Sequence, residues 1–335
     1  MASLRAIWTS VWLRLRHDVM KTLTWLFWAV GFLLLLFLFL RLDPAVVWES
    51  FGRAGWSGFG LVLAAGLVLT ACLASGLYPL LSGEASFKLT FAARQVRDSA
   101  GDILPFTQIG GMALGMRVLV LGGIAPSRAI AAGVVDVTTE MIAQGLFIFI
   151  GIALAAPAIA ADPRLGPYLG WLEAFALLFA VALIGFALLQ LGGSHLAEKY
   201  LRPRSIGASA AAFRDALHHL YRQRMRVAFS VTLHLLGWFA SGLWLWVVFR
   251  ALGVELSLIS AIAIQSLLEG LRSAMVFIPA AIGIQEAGYA ALVPLFGLAP
   301  ETGLAISILR RARDIAIGVP VLLIWHLVEV RRARR

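Results

Sequence analysis

The sequence predicts an all-α polytopic membrane protein: about six full spans plus two re-entrant helical hairpins in an inverted repeat, with both termini cytoplasmic. Three observations predict it. Of 335 residues, 61% are hydrophobic and only 14% charged, whereas soluble domains carry about a quarter charged residues. Long apolar stretches recur from Trp25 to Trp325 and the mean hydropathy is +0.89, so residues 1–335 read as one transmembrane domain. Two proline-broken, charged segments recur at one fixed spacing.

The first apolar run, Leu23 to Leu40, follows Arg5, Arg14, Arg16 and Lys21. It is too long for a signal-peptide core and no small-residue cleavage site follows, so it reads as a retained span. Windows able to cross about 30 Å of hydrocarbon lie near 23–41, 57–81, 129–156, 170–191, 227–249 and 303–328. The loops between them sort by charge. Residues 192–226 hold Lys199, Arg202, Arg204, Arg214, Arg222, Arg224 and Arg226, and the sequence ends with Arg331, Arg332, Arg334 and Arg335. Arg41, Arg53, Arg164 and Arg250 are spread over the other side. The positive-inside rule then places 192–226 and both termini in the cytoplasm and 157–169 outside. The net charge of +10 follows this loop pattern, not a basic domain, so nucleic acid is not an expected partner. Ala208 to Arg226 reads as a basic helix on the anionic inner leaflet, or as a solvated connector. Tryptophans 25, 28, 48, 56, 171, 238 and 325 sit near span ends, as interfacial anchors do.

Residues 84–122 and 258–298 do not fit as simple spans. Each is a charged helix, a proline and a Gly-rich apolar segment. With an ungapped offset of 174, Leu104-Pro105 falls on Ile278-Pro279 and Gly123-Ile124-Ala125-Pro126 on Gly297-Leu298-Ala299-Pro300. The same offset sets Gln95 on Glu269, Asp98 on Arg272, Asp136 on Arg310 and Glu140 on Asp314. The two copies, 84–156 and 258–328, enter from opposite sides by the charge count. Paired Gly/Pro-interrupted segments in inverted repeats mark a transporter's binding site. Helix breaks at membrane depth must also line a cavity or lie within protein. Pro105, Gly110, Gly111, Pro279 and Gly283 are the expected hairpin and hinge positions, and Gly111 with Gly115 forms a GxxxG pair suited to close helix approach.

Inside these segments lie Arg94, Arg97, Asp98, Arg117, Asp136, Glu140, Glu269, Arg272, Glu286, Arg310, Arg313 and Asp314. A charge at the bilayer centre costs at least about 2.5–3.5 kcal/mol, so such groups pair, face water or serve a ligand. Arg117, Glu140, Glu286 and Arg310 have apolar sequence on both sides and are expected to share a polar cavity, with Arg94 and Glu269 at its mouth. Arginine's planar fork suits phosphate, and acidic partners hold it or carry a coupling proton. Enzyme signatures fail: Gly110 to Gly115 has P-loop spacing, but Met116-Arg117 replaces Lys-Ser/Thr. His218-His219 is an adjacent pair that cannot share a helix face, His234 and His326 stand alone in apolar runs, and the one cysteine, Cys72, reads as a packing residue. No cofactor or metal is expected.

Two blocks carry a family resemblance: Arg94, Leu104-Pro105, Gly110-Gly111, Arg117, Gly123-Ile124 and Ala129, then Phe277-Ile278-Pro279, Gly283-Ile284-Gln285-Glu286, Gly297-Leu298 and Arg310. At these positions the chain resembles the flippase-like, lysylphosphatidylglycerol-synthase transmembrane family, and within it the hopanoid-biosynthesis-associated membrane proteins. It departs at Met112, where many members have an acid, and at Asp136 and Glu140, where a Glu-Arg pair is common. The resemblance implies a flippase or transporter in a bacterial inner membrane, moving a hopanoid, isoprenoid-linked or anionic lipid. The aminoacyltransferase of two-domain members is not implied. The alternative is a non-transporting scaffold for lipid-biosynthesis proteins, which would need no internal charge.

Overall fold

The computed structural model describes residues 44–104, 108–163, 208–275 and 278–333, with 166–168, 170–171, 174, 177–182 and 184–185 between the second and third stretches. The described residues form helices and turns, with no strand among them. Runs this apolar must satisfy their backbone groups within each segment, which a helix does.

α1 (Pro44–Leu77) is interrupted at Gly55, whose φ of 59° lies outside the helical region, and a 3-10 turn at Tyr78–Leu81 closes it. α2 (Phe87–Ile103) starts at Ser86, whose hydroxyl accepts the Leu89 N–H. Expected hinge residue Pro105 lies outside the described residues; α3 (Gln108–Leu121) follows, and α4 (Pro126–Ala161) comes next after Gly123 at φ 100°. α5 (Ala208–Arg222) and α6 (Arg224–Ala251) part at Gln223. α7 (Leu258–Ala274) starts as α2 does, with the Ser257 hydroxyl accepting the Ser260 N–H. A 3-10 turn at Pro279–Ala281, α8 (Ile284–Leu292) and a turn at Val293–Phe296 lead to α9 (Pro300–Ala333).

The two stretches on either side of α5 and α6 therefore share one order. Each has a helix of 17 residues, a break, a shorter helix, a glycine of positive φ (Gly123, Gly297), and a long helix opened by proline at Pro126 or Pro300. They also interlock: α2, from the first stretch, packs on α9, and α7, from the second, packs on α4. α1 lies along α6, and α2 also contacts the Pro279–Ala281 turn. A Cβ on Gly111 would lie 2.5 Å from the Arg97 carbonyl oxygen, and one on Gly115 would lie 2.9 Å from that of Ala93. The GxxxG pair is what lets α3 rest on the backbone of α2.

Among the described residues, three stretches are long and apolar enough to cross a membrane: Ala54–Leu81, Pro126–Ala161 and Arg224–Ala251. They contain the windows 57–81, 129–156 and 227–249. The window 303–328 lies in one continuous helix, α9, which carries Arg310, Arg311, Arg313 and Asp314. The window 23–41 and part of 170–191 lie outside the described residues. Leu61, Val68, Phe149, Leu236 and Leu323 are exposed on the outer surface, where hydrocarbon would be their solvent. Trp244, Leu245, Phe249, Ile264 and Leu268 fill the interior.

Two expectations change. Trp56 and Trp171 are exposed, but Trp238 is only 9% exposed, stacks on Phe147 and belongs to the core, because it sits on the face of α6 that meets α4. α5 does not offer its apolar face to a leaflet. Phe213, Leu217 and Leu220 pack with Ala131, Ala132 and Val135 of α4, leaving Arg214, His218 and His219 outward.

Candidate functional site

Charged and polar residues on four helices fall at helical spacing on single faces: Arg94, Arg97 and Asp98 on α2; Asp136 and Glu140 on α4; Gln265, Glu269 and Arg272 on α7; Arg310, Arg313 and Asp314 on α9. Because α2 packs on α9 and α7 on α4, these faces turn toward one another. Between them lies a cavity of about 530 Å³.

On one side, Arg94 and Arg97 clasp both oxygens of Glu140, at 2.6 and 2.7 Å. Arg94 also bonds Asp98 at 2.7 Å, and Arg97 reaches Asp136 at 3.1 Å. Asp136 in turn meets the Nε2 of His234 at 3.0 Å. The Trp238 indole N–H donates to the Glu140 backbone oxygen, which fixes the helix turn bearing the carboxylate. On the opposite side, Glu269 accepts from Gln265 at 2.9 Å, Arg272 at 3.1 Å and Arg310 at 3.2 Å. Arg310 also donates to the Tyr289 hydroxyl, which donates to Gln265. Arg313 lies over the Trp244 ring at 4.4 Å and pairs with Asp314. An ion pair joins the two sides: Arg272 of α7 meets Asp102 of α2 at 3.8 Å.

Five arginines (94, 97, 272, 310, 313) and five acids (98, 102, 140, 269, 314) line the cavity, so its formal charges cancel. Each group is held by partners of the opposite sign, which is the condition for keeping charge away from water. Apolar walls come from α1 and from Ile278, Ala280 and Ala281 of the second break. Gly101, Asp102 and Met112 bring the ends of the first break to the same space.

Of the expected site residues, Arg94, Glu140, Glu269 and Arg310 line this cavity together. Arg117 does not. It sits one turn from the end of α3, with its side chain 51% exposed, and pairs with Glu329 near the end of α9 at 2.7 Å. Glu286 is buried behind the second break. Its carboxylate accepts the Gly283 N–H at 2.7 Å, the Ser307 hydroxyl at 3.1 Å and Arg311 at 2.8 Å, so it caps α8 and ties that helix to α9. Gly283 has φ 78°, which a residue with a side chain rarely adopts, and Gly110 and Gly111 lie in the first turn of α3. Pro279 opens the 3-10 turn, and Ala280 and Ala281 hold φ of 52° and 47°, braced by Arg311 donating to the Ala280 carbonyl. Sequence reasoning passed over Asp102, Arg311, Tyr289 and Glu329. Arg311 had the signal, a second arginine beside Arg310 in an apolar run; partner choice for the rest depends on which helix faces which.

Comparison with family models decides the class: the model of the lysylphosphatidylglycerol synthase TM region matches residues 24–321. The chain belongs to that family. No curated protein matches it. The match spans α1 to most of α9, so the charged cavity falls wholly inside the family region. As a member of a transmembrane-region family with, among its described residues, three helices able to cross a bilayer, the protein is a multi-pass membrane protein whose family points to lipid handling.

Proposed function

We propose that this member of the lysylphosphatidylglycerol synthase TM-region family is a lipid transporter or flippase of a bacterial inner membrane, and that the charged cavity receives the lipid headgroup. The observation that carries the reading is the cavity of about 530 Å³, which falls within the roughly 300–1,000 Å³ of small-molecule sites and is charged inside an otherwise apolar molecule. It has room for a headgroup while the acyl chains remain in hydrocarbon. Arginine forks exchange a carboxylate for a phosphate with little change in geometry, so the ion pairs can hand a headgroup across the cavity. A hopanoid, isoprenoid-linked or anionic lipid fits this scheme.

The shared order of 84–156 and 258–328 supports an inverted repeat with two re-entrant hairpins. α2 and α3, of 17 and 14 residues, are about 25 and 21 Å long at 1.5 Å per residue, short of the roughly 30 Å a full crossing needs. Rocking of the two helix-break-helix units about the Asp102–Arg272 contact would open the cavity to alternate sides. A scaffold for lipid-biosynthesis proteins would need no such interior.

The test is a flipping assay in liposomes with a panel of headgroup-labelled lipids. The wild-type protein is expected to move at least one of them. The Glu269→Gln, Arg310→Gln double variant keeps the local charge balanced and is expected to fold and fail. A folded double variant moving lipid at the wild-type rate would sink the assignment.

A further inference from the structure

The two ion clusters differ in charge. On the α7 and α9 side, Arg272, Arg310 and Arg313 face Glu269, Asp314 and, reaching across from α2 through its pair with Arg272, Asp102, three against three. On the α2 and α4 side, Arg94 and Arg97 face Asp98, Asp136 and Glu140, two against three. That side is one positive charge short, and His234 adjoins it.

His234 is fully buried, and its Nε2 lies 3.0 Å from Asp136 Oδ1. Its Nδ1 is buried with no hydrogen-bond partner. With Nε2–H donating to Asp136, Nδ1 presents a free lone pair, which is where a proton would bind. The ring packs against α1 at Gly76, where a Cβ would collide with it. Beside it, Ser230 and Thr139 share a hydrogen bond of 2.9 Å, and Ser230 also donates to the Gly76 carbonyl. The charged groups facing the ring come from α2 (Arg94, Arg97) and α4 (Asp136, Glu140). The Ala54–Leu77 part of α1 carries no charged residue, and α5 contributes Tyr221, bonded to Thr138. Glu269 and Arg272 of α7 and Arg310 and Arg313 of α9 belong to the opposite, balanced cluster.

Building on the transport reading above, we propose that the His234–Asp136 pair is a proton-binding site that couples proton movement to headgroup movement. A proton from water on one side adds to Nδ1 and makes an imidazolium held by Asp136. The same proton leaves to the other side when the cavity reopens. An anionic headgroup that draws Arg97 from Asp136 deepens the deficit of positive charge, so headgroup and proton bind together and favour each other's binding. A singly charged lipid and one proton move with no net charge.

The experiment reconstitutes the full chain in liposomes holding a trapped pH dye, with a headgroup-labelled anionic lipid and an imposed pH difference. Wild-type protein is expected to move the lipid and protons in the same direction. With one-to-one coupling, each pH unit sustains up to about tenfold lipid asymmetry. His234→Gln keeps an N–H for Asp136 and is expected to move lipid without responding to the gradient. Asp136→Asn balances the cluster without a proton and is expected to lose the response too. Wild-type lipid movement with no pH change and no gradient response overturns the proton site and leaves the transport reading standing. A gradient response kept in both variants also overturns it. No lipid movement under any condition overturns both. Should neither variant fold, the wild-type proton flux decides alone.

Discussion

Glu140 is the residue on which the first cluster turns. Both of its oxygens are bonded to arginines, and it is only 6% exposed. Glu140→Gln removes the carboxylate that the two guanidinium groups share, leaving Arg94 with Asp98 and Arg97 with Asp136, and breaking one partner of a buried pair costs about 3–5 kcal/mol. The expected result is a clear drop in the thermal midpoint of the detergent-purified protein. Arg117 makes the opposite case. Its pair with Glu329 is solvent-facing, so Arg117→Ala should leave both the thermal midpoint and the rate of lipid movement close to wild type; a collapse of either would show that the outer pair matters more than its exposure suggests. Sequence could name both residues as charges with apolar neighbours. It could not separate them, because flanking composition says nothing about which side of a helix faces protein.

At the scale of elements, the glycines of α3 set how closely that helix rests on α2. Gly111→Ala places a methyl group 2.5 Å from backbone at Arg97, which cannot move aside as a side chain could. Overpacking of this kind costs about 1–3 kcal/mol. It should also shift Arg97 away from Asp136 and Glu140, lowering lipid movement along with stability. Gly60→Ala is the control, since nothing lies within 4 Å of a Cβ there and the position is exposed in α1. Equal losses in the two variants would remove the close approach as the cause. This GxxxG contact was legible from spacing alone. The docking of α5 was not, because an amphipathic basic helix looks the same whether its apolar face meets lipid or the side of α4.

For the whole molecule, two measurements follow. In a Cys72→Ala background, a cysteine at Glu255, in the loop between α6 and α7, should be labelled by an impermeant reagent only from outside, and one at Gln223 only from inside. The reverse pattern would invert the orientation read from the loop charges. Cysteines at Asp102 and Arg272 bridge the two helix-break-helix units, whose side chains approach to 3.8 Å. Joining them with a short reducible linker should stop lipid movement, and reduction should restore it; unimpeded movement in the linked protein would exclude rocking at that contact. By itself the sequence determined the membrane class, the family, the three described spans, the helix-break-helix order and the set of charges that need a reason, because hydropathy, proline and glycine act locally along the chain. Only the tertiary structure decided that α2 rests on α9 and α7 on α4, that Arg94, Glu140, Glu269 and Arg310 share a cavity while Arg117 and Glu286 do not, and that His234 stands beside the cluster lacking a positive charge. Those facts depend on contacts between residues far apart in sequence, where the physics is packing and charge balance and no local pattern records them.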